Sequence, residues 1–241
     1  MHNLLLLLVG EYKRMLEYKI AAASIVVALI WIGVLYLTEI TDITFIFPLL
    51  LFIDTTSMAI LMVGVTIFFE KQEGSLRAIL VAPINKTDYL LTKIISTITA
   101  SIFTLIILYL YSLLFKEMNL SIFGLLGAVI ITALFHALVG IILSYYSKDF
   151  TGLLMNMFKY MLIFMLPALL DQVNIIQHEL LNKILYLSPT KAAMVLLYAP
   201  TGSASSGELI YSLGYLVFGS VILFIFVIKL FDSFAAREGG V

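Results

Sequence analysis

The sequence predicts an all-α integral membrane protein with six transmembrane helices, and three observations carry that prediction. Of the 241 residues, 62% are hydrophobic and only 12% are charged, whereas a soluble domain holds about 25% charged and about half apolar residues. Mean hydropathy is +1.11, which water cannot solvate as a folded surface. The apolar residues gather in six stretches, each near the roughly 20 helical residues needed to cross a hydrocarbon core about 30 Å thick. They are Ile20–Leu37, Ile43–Phe69, Ile94–Phe115, Leu120–Tyr146, Phe150–Leu170 and Leu209–Ile228.

Composition also excludes several classes. A net charge of −1 offers no basic face for nucleic acid. With no cysteine there is no disulfide framework and no thiolate metal site. The opening MHNLLLLLVGEYKR lacks leading positive charge and a small-residue cleavage site, so it does not read as a signal peptide. Instead, Leu4–Val9 followed by Tyr12, Met15, Leu16 and Lys19, interleaved with Glu11, Lys13, Arg14 and Glu17, predicts a helix over residues 1–19 lying at the inner membrane surface.

The first, third and last spans hold no charged residue, and the other three hold one ionisable group each. In the second it is Asp54, followed by Thr55-Thr56-Ser57, whose hydroxyls are near enough in sequence to hydrogen-bond it. A carboxylate at that depth is costly unless it faces protein or water. Asp54 and Thr55, with His136 of the fourth span, are therefore candidates for a pathway or subunit interface, or for a satisfied helix–helix contact. His136, near the middle of the fourth span, suits a helix–helix hydrogen bond better than a proton relay. Lys159 lies two turns into the fifth span, where its ammonium would snorkel to the inner headgroups.

Between the second and third spans stands EKQEGSLRAILVAPINKTDYLLTK, residues 70–93. Gly74 and Ser75 interrupt the arriving helix, and Ser75 can cap a new one. Leu76, Ile79 and Leu80 fall on one face, Pro83 ends the segment, and Asn85 with Asp88 forms a variant capping box for the third helix. The product is a two-turn amphipathic helix across the inner membrane surface. Its ridge either enters a groove on a cytosolic protein or rests on lipid. Residues 171–207 hold a second special segment. Ile176, Leu180, Ile184 and Leu187 form a helical stripe, Ser188-Pro189 restarts a short helix, and TGSASSG (201–207) is a flexible link. This is the pattern of a re-entrant helical hairpin dipping into the outer leaflet.

Basic residues set the orientation. With both termini inside, ten of the 14 Lys and Arg are cytoplasmic, three (Lys116, Lys183, Lys191) are outside and Lys159 is within a span. The chain is expected in the cell membrane with both termini cytoplasmic.

The stretch from Glu70 to Lys93 resembles the signature region of type-2 ABC exporter permeases, the type V exporter fold. In that family the second span exits into E-x-x-E-G-(S/T)-L-x-x-L-L-x-x-P-(V/I), then an aromatic residue and a Lys. Glu70, Glu73, Gly74, Ser75, Leu76, Ile79, Leu80, Pro83, Ile84, Tyr89 and Lys93 match it. Leu187–Pro189 resembles the family's short motif before the last span. Arg77 departs from the pattern, where an acidic or neutral residue is common.

The resemblance implies a single permease domain over residues 1–241, with six spans, an interfacial helix, a cytosolic coupling helix at 70–93 and a re-entrant pair at 171–207. It also implies that two copies, or this chain and a sister permease, pair around a pathway. Each coupling helix would dock on a separate ABC ATP-binding subunit, through Glu70, Glu73, Gly74, Leu76, Arg77, Ile79, Leu80 and Pro83. Glu70 and Glu73 would form a polar ring joining the coupling helix to the interfacial helix, with Lys13 or Arg14 as partners; otherwise they are interfacial charges facing water. The chain has no G-x-x-x-x-G-K-(S/T) loop, so ATP and Mg belong to the partner, and no cofactor, metal or catalytic residue is expected here. Small external segments favour export, and multidrug exporters of this size point to a drug or lipid-like amphiphile. The competing reading, an ion-coupled carrier without an ATPase, would show internal repeats and midplane helix breaks and leaves residues 70–93 unexplained.

Overall fold

The structure is a computed structural model that describes residues 2–75 and 84–239. Its helices are α1 (His2–Glu17), α2 (Ile20–Leu37), α3 (Ile46–Gln72), α4 (Lys86–Phe115), α5 (Ile122–Tyr146), α6 (Phe150–Tyr160), α7 (Leu166–Gln172), α8 (Glu179–Leu185), α9 (Pro189–Tyr198) and α10 (Ser206–Gly239). A π-helical turn, Met161–Met165, joins α6 to α7 without a break. Six helical segments among the described residues are long and apolar enough to cross a membrane, as expected: α2, α3, α4, α5, the α6–α7 unit and α10.

Burial sorts these spans into centre and rim. The apolar windows of α3 and α5 are 67% and 61% buried, against 17% to 28% for the other four. Accordingly α3 packs most extensively on α5, and α5 also receives α4 and α10. Because lipid is as apolar as leucine, such contacts depend on close backbone approach at small residues. Gly140 of α5 sits against Ile60 and Val63 of α3, Gly219 of α10 against the Phe135 ring, and Gly64 of α3 against Leu153 of α6.

Helix ends explain where the sequence and structure differ. The second span starts at Ile46 rather than Ile43, because Ile43 pairs its amide with the Glu117 carbonyl at 3.0 Å and the Glu117 amide returns to Thr41 at 2.9 Å. This short bridge ties the loops after α2 and α4 together. The third helix starts at Lys86, ahead of the apolar stretch at Ile94, with Asn85 capping it as expected through the Thr87 amide at 3.1 Å. The polar residues 86–93 are thus one continuous helix with the apolar ones.

Within residues 171–207 the two short helices differ in burial. Helix α8 has no buried residue, and Leu180, Ile184 and Leu187 of the predicted stripe all point outward. Helix α9 is instead enclosed by α3, α5 and α10, with every residue but Lys191 buried. Pro189 takes the first helical position as predicted. Ser188, however, pairs its hydroxyl with Thr190 at 2.8 Å rather than capping. Thr190 donates in turn to the Phe164 carbonyl in the π turn at 2.5 Å, which seats α9 on the fifth span. The link at 201–207 ends in an unpredicted capping box. Ser205 donates its amide and hydroxyl to Glu208 at 2.9 and 2.7 Å and accepts the Glu208 amide at 3.3 Å.

Candidate functional site

The polar groups that matter most converge where residues 70–93 leave the second span. Helix α1 is amphipathic, and its inward face carries Met15 and, unexpectedly, a fully buried Glu11. Helix α3 delivers Glu70 from its last turn, and α4 delivers Tyr89 and Lys93 one turn apart on a single face. Glu70 is fully buried and Lys93 is 1% exposed.

These side chains form one closed cluster. Lys93 Nζ donates to both Glu11 oxygens at 2.8 Å and to Glu70 Oε1 at 2.6 Å, which uses all three of its protons. Tyr89 donates to Glu70 Oε2 at 2.7 Å. Arg14 Nη2 donates to Glu11 Oε2 at 3.1 Å. Its Nε lies 3.3 Å from Glu70 Oε1, a Coulombic contact without hydrogen-bond geometry. Two carboxylates and two cations leave no net charge. Burial opposes the Arg14 charge, but the Glu70 and Glu11 carboxylates outweigh it and raise its pKa. In low dielectric such a group is costly unless every member is satisfied, and here the carboxylates and the ammonium are.

Glu73, one turn beyond Glu70, is exposed and accepts from the Tyr18 hydroxyl at 2.6 Å, at the corner between α1 and α2. Burial, then the Glu73 carboxylate, holds the Tyr18 phenol above its ordinary pKa. Gly74 follows with φ 72°, a left-handed backbone that ends α3 at the predicted place. Ser75 sends its hydroxyl back to the Glu70 carbonyl at 3.3 Å. Leu76, Arg77, Ile79, Leu80 and Pro83 lie outside the described residues.

Of the two basic partners expected for the glutamates, Arg14 takes the place and Lys13 does not. Lys13 is exposed and pairs with Glu17 at 3.8 Å on the outer face of α1. Glu11 and Lys93 are the cluster members that sequence reasoning did not pair. The available signal was the spacing Tyr89–Lys93, one turn apart on a helix entering the membrane.

The intramembrane groups are dispersed. Asp54 is bound not by the neighbouring hydroxyls but by Trp31 of α2, whose Nε1 donates at 3.1 Å. Thr56 turns to the Phe52 carbonyl at 2.5 Å, Ser57 to the Met165 sulfur at 3.7 Å, and the buried Thr55 hydroxyl has no partner. A threonine or serine in a helix reaches its own i−4 carbonyl more readily than its neighbour's side chain. His136 bonds within its own helix, Nδ1 to the Thr132 carbonyl at 2.8 Å. A carbonyl only accepts, so Nδ1 carries the proton. Its Nε2 is buried without a partner, and the ring packs edge-on to Tyr160 at 6.0 Å. The expected interhelical hydrogen bond is therefore replaced by an aromatic contact. Lys159 is exposed. No hydrogen bond or ion pair joins Asp54, Thr55 and His136.

At the opposite end, Lys191 of α9 pairs with Asp171 of α7, and Tyr186 donates to Glu208 of α10. Burial, then Glu208, pushes the Tyr186 phenol up to about 12. These pairs border a polar cavity of about 310 Å³ and fasten the 171–207 segment to the last span.

A sequence profile of the fluoroquinolones export permease protein family matches residues 4–238, nearly the whole chain. The chain belongs to that family. Among its relatives are the fluoroquinolones export permease proteins of Mycobacterium tuberculosis strains CDC 1551 / Oshkosh and ATCC 25618 / H37Rv. Each is 24% identical over 207 residues, which cover 86% of this chain and 84% of the relative. No solved structure matches it. A fluoroquinolones export permease is a multi-pass membrane transport component rather than an enzyme. That agrees with the resemblance to type-2 ABC exporter permeases.

Proposed function

We propose that this chain is the permease subunit of an ATP-driven ABC exporter that moves a drug or other amphiphile out of the cell, with both termini cytoplasmic. The observation that carries the coupling part is the buried Glu11–Arg14–Glu70–Lys93 cluster. It clamps the interfacial helix to the ends of the second and third spans at the root of residues 70–93. A push on that segment is thus delivered to α1, α3 and α4 together instead of being lost in one loosely held loop.

The ATPase is a separate polypeptide, because this chain has no phosphate loop. Its ATP-bound dimer favours one permease arrangement by binding it more tightly, and the docked ridge of Leu76, Ile79 and Leu80 transmits that preference. Two permeases, identical or sister chains, enclose the path. The drug assignment rests on the named activity of the relatives.

Two measurements test this. Co-purification of the tagged chain with an ATP-binding subunit encoded beside it is expected, with loss of that subunit and of drug efflux in Leu80→Asp while the membrane fold persists. Normal efflux by that variant would overturn the coupling role. Orientation is tested independently, since a chain without cysteines accepts single reporters cleanly. Gln177→Cys should react with a membrane-impermeant maleimide on intact cells, and Gln72→Cys should react only after lysis. The reverse pattern would invert the topology.

A further inference from the structure

Where α1 meets α2 the chain turns sharply through Tyr18 and Lys19, and Lys19 has φ 56°, a strained conformation for a lysine. The corner folds α1 back against α4 and encloses a cavity of about 360 Å³ between α1, α2 and α4. Its walls are Tyr12, Met15, Leu16, Ala21, Ile25 and Phe103, and at its mouth Leu16, Ile25 and Phe103 are 69%, 44% and 49% exposed. Three hydroxyls also line it, but each is turned to its own helix. Ser24 donates to the Ile20 carbonyl at 3.0 Å, Ser96 to Lys93 at 3.0 Å and Thr99 to Ile95 at 2.8 Å. The Tyr12 phenol is spent on Thr99 at 2.8 Å. The cavity therefore offers an occupant only methyl, methylene and ring surface, which excludes a polar ligand and suits a hydrocarbon chain.

The charges around the corner add a second requirement. Lys13 is paired with Glu17, Arg14 with Glu11 and Glu70, and Lys93 with both of those glutamates. Lys19 is exposed and has no ion-pair partner among the described residues. Glu73, the exposed acid at the same corner, is held by the Tyr18 hydroxyl at 2.6 Å, so Lys19 stands there as a cation without an ion-pair partner, beside an apolar slot.

We infer that this slot binds one anionic phospholipid, with an acyl chain in the cavity and the headgroup phosphate at Lys19; that the leaflet is the inner one rests on the cytoplasmic orientation proposed above. A phospholipid supplies a hydrocarbon filler for the slot and an anion for Lys19. The site also bears on coupling. The cavity wall shares α1 with Glu11 and α4 with Lys93, so an acyl chain there braces the same two helices that the ion pairs join.

Native mass spectrometry of the full chain, released from mild detergent with phosphatidylglycerol or phosphatidylcholine added, tests this. One retained phosphatidylglycerol per chain is expected, preferred about fivefold, the effect of one lysine at an anionic surface. Lys19→Gln, a surface change that leaves packing alone, should bring the two lipids to parity, and Lys19→Arg should keep the preference. Ala21→Phe should displace both lipids. Equal retention of the two lipids by the unaltered chain, or a preference untouched by Lys19→Gln, would overturn the inference. So would a lipid-free dimer that Ala21→Phe converts to monomers, since the slot would then be an interface between copies. Lipid retention does not depend on which way the chain is inserted, so a reversed labelling pattern would change the leaflet and leave this result standing.

Discussion

Lys93→Met is expected to destabilise the folded chain by about 3–5 kcal/mol, the range for breaking a buried ion pair from one side. The ammonium is 1% exposed and holds three carboxylate contacts within 2.8 Å. Without it Glu11 and Glu70 face Arg14 alone, and a net negative charge is left in low dielectric. Arg14 cannot replace the lost contacts, because it already sits against both carboxylates at 3.1 and 3.3 Å. Unfolding in mixed micelles followed by circular dichroism measures the loss. A second substitution separates charge from packing. Adding Glu70→Gln restores neutrality to the cluster, so the double variant should lose clearly less than the two single losses combined. If Lys93→Met alone cost less than about 1 kcal/mol, the cluster would be behaving as a solvated surface pair. Efflux should fall further than stability alone explains, since only the Arg14–Glu70 contact would still tie α1 to the root of residues 70–93.

Gly140→Ala carries the other large effect. A Cβ at this position would stand 2.4 Å from Val63 Cγ1, 2.7 Å from the Ile60 carbonyl oxygen and 2.9 Å from the Ile60 Cα. Two of those three neighbours are backbone, so no rotamer change relieves the clash and α3 must move off α5. About 3 kcal/mol of destabilisation is expected, the upper part of the usual overpacking range. Gly127, on the same helix, is the control. Nothing lies within 4 Å of its added Cβ, and Gly127→Ala should stabilise by about 0.5–1 kcal/mol through reduced backbone freedom. The same change in opposite directions on one helix would show that α5 is fixed by close approach at one point. Equal outcomes would show that it is not.

The sequence by itself determined the class and the count of spans, because crossing a bilayer is a demand on local composition that no distant contact can waive. It also placed the break at Gly74, found left-handed at φ 72°, and the start of the third helix at Asn85, found capping. Both are set by residues within a turn of one another. The Ser205–Glu208 capping box was missed, because it closes a stretch that otherwise reads as flexible. The candidate site was only half legible. Glu70 and Glu73 were marked by the resemblance to the permease signature, and Arg14 was one of the two basic residues offered as their partner.

What pairs with what was decided by tertiary structure alone. Lys93 meets Glu11 across 82 residues and Glu70 across 23, and Asp54 meets Trp31 across 23. Along the sequence Lys93 ends a hydrophilic stretch, yet in the fold its helix runs on unbroken from Lys86 to Phe115. A charge bars a helix from the membrane boundary only while unpaired, and its partners arrive from other helices. The sinking of α9 into the protein has the same origin, because its burial depends on the room that α3, α5 and α10 leave between them.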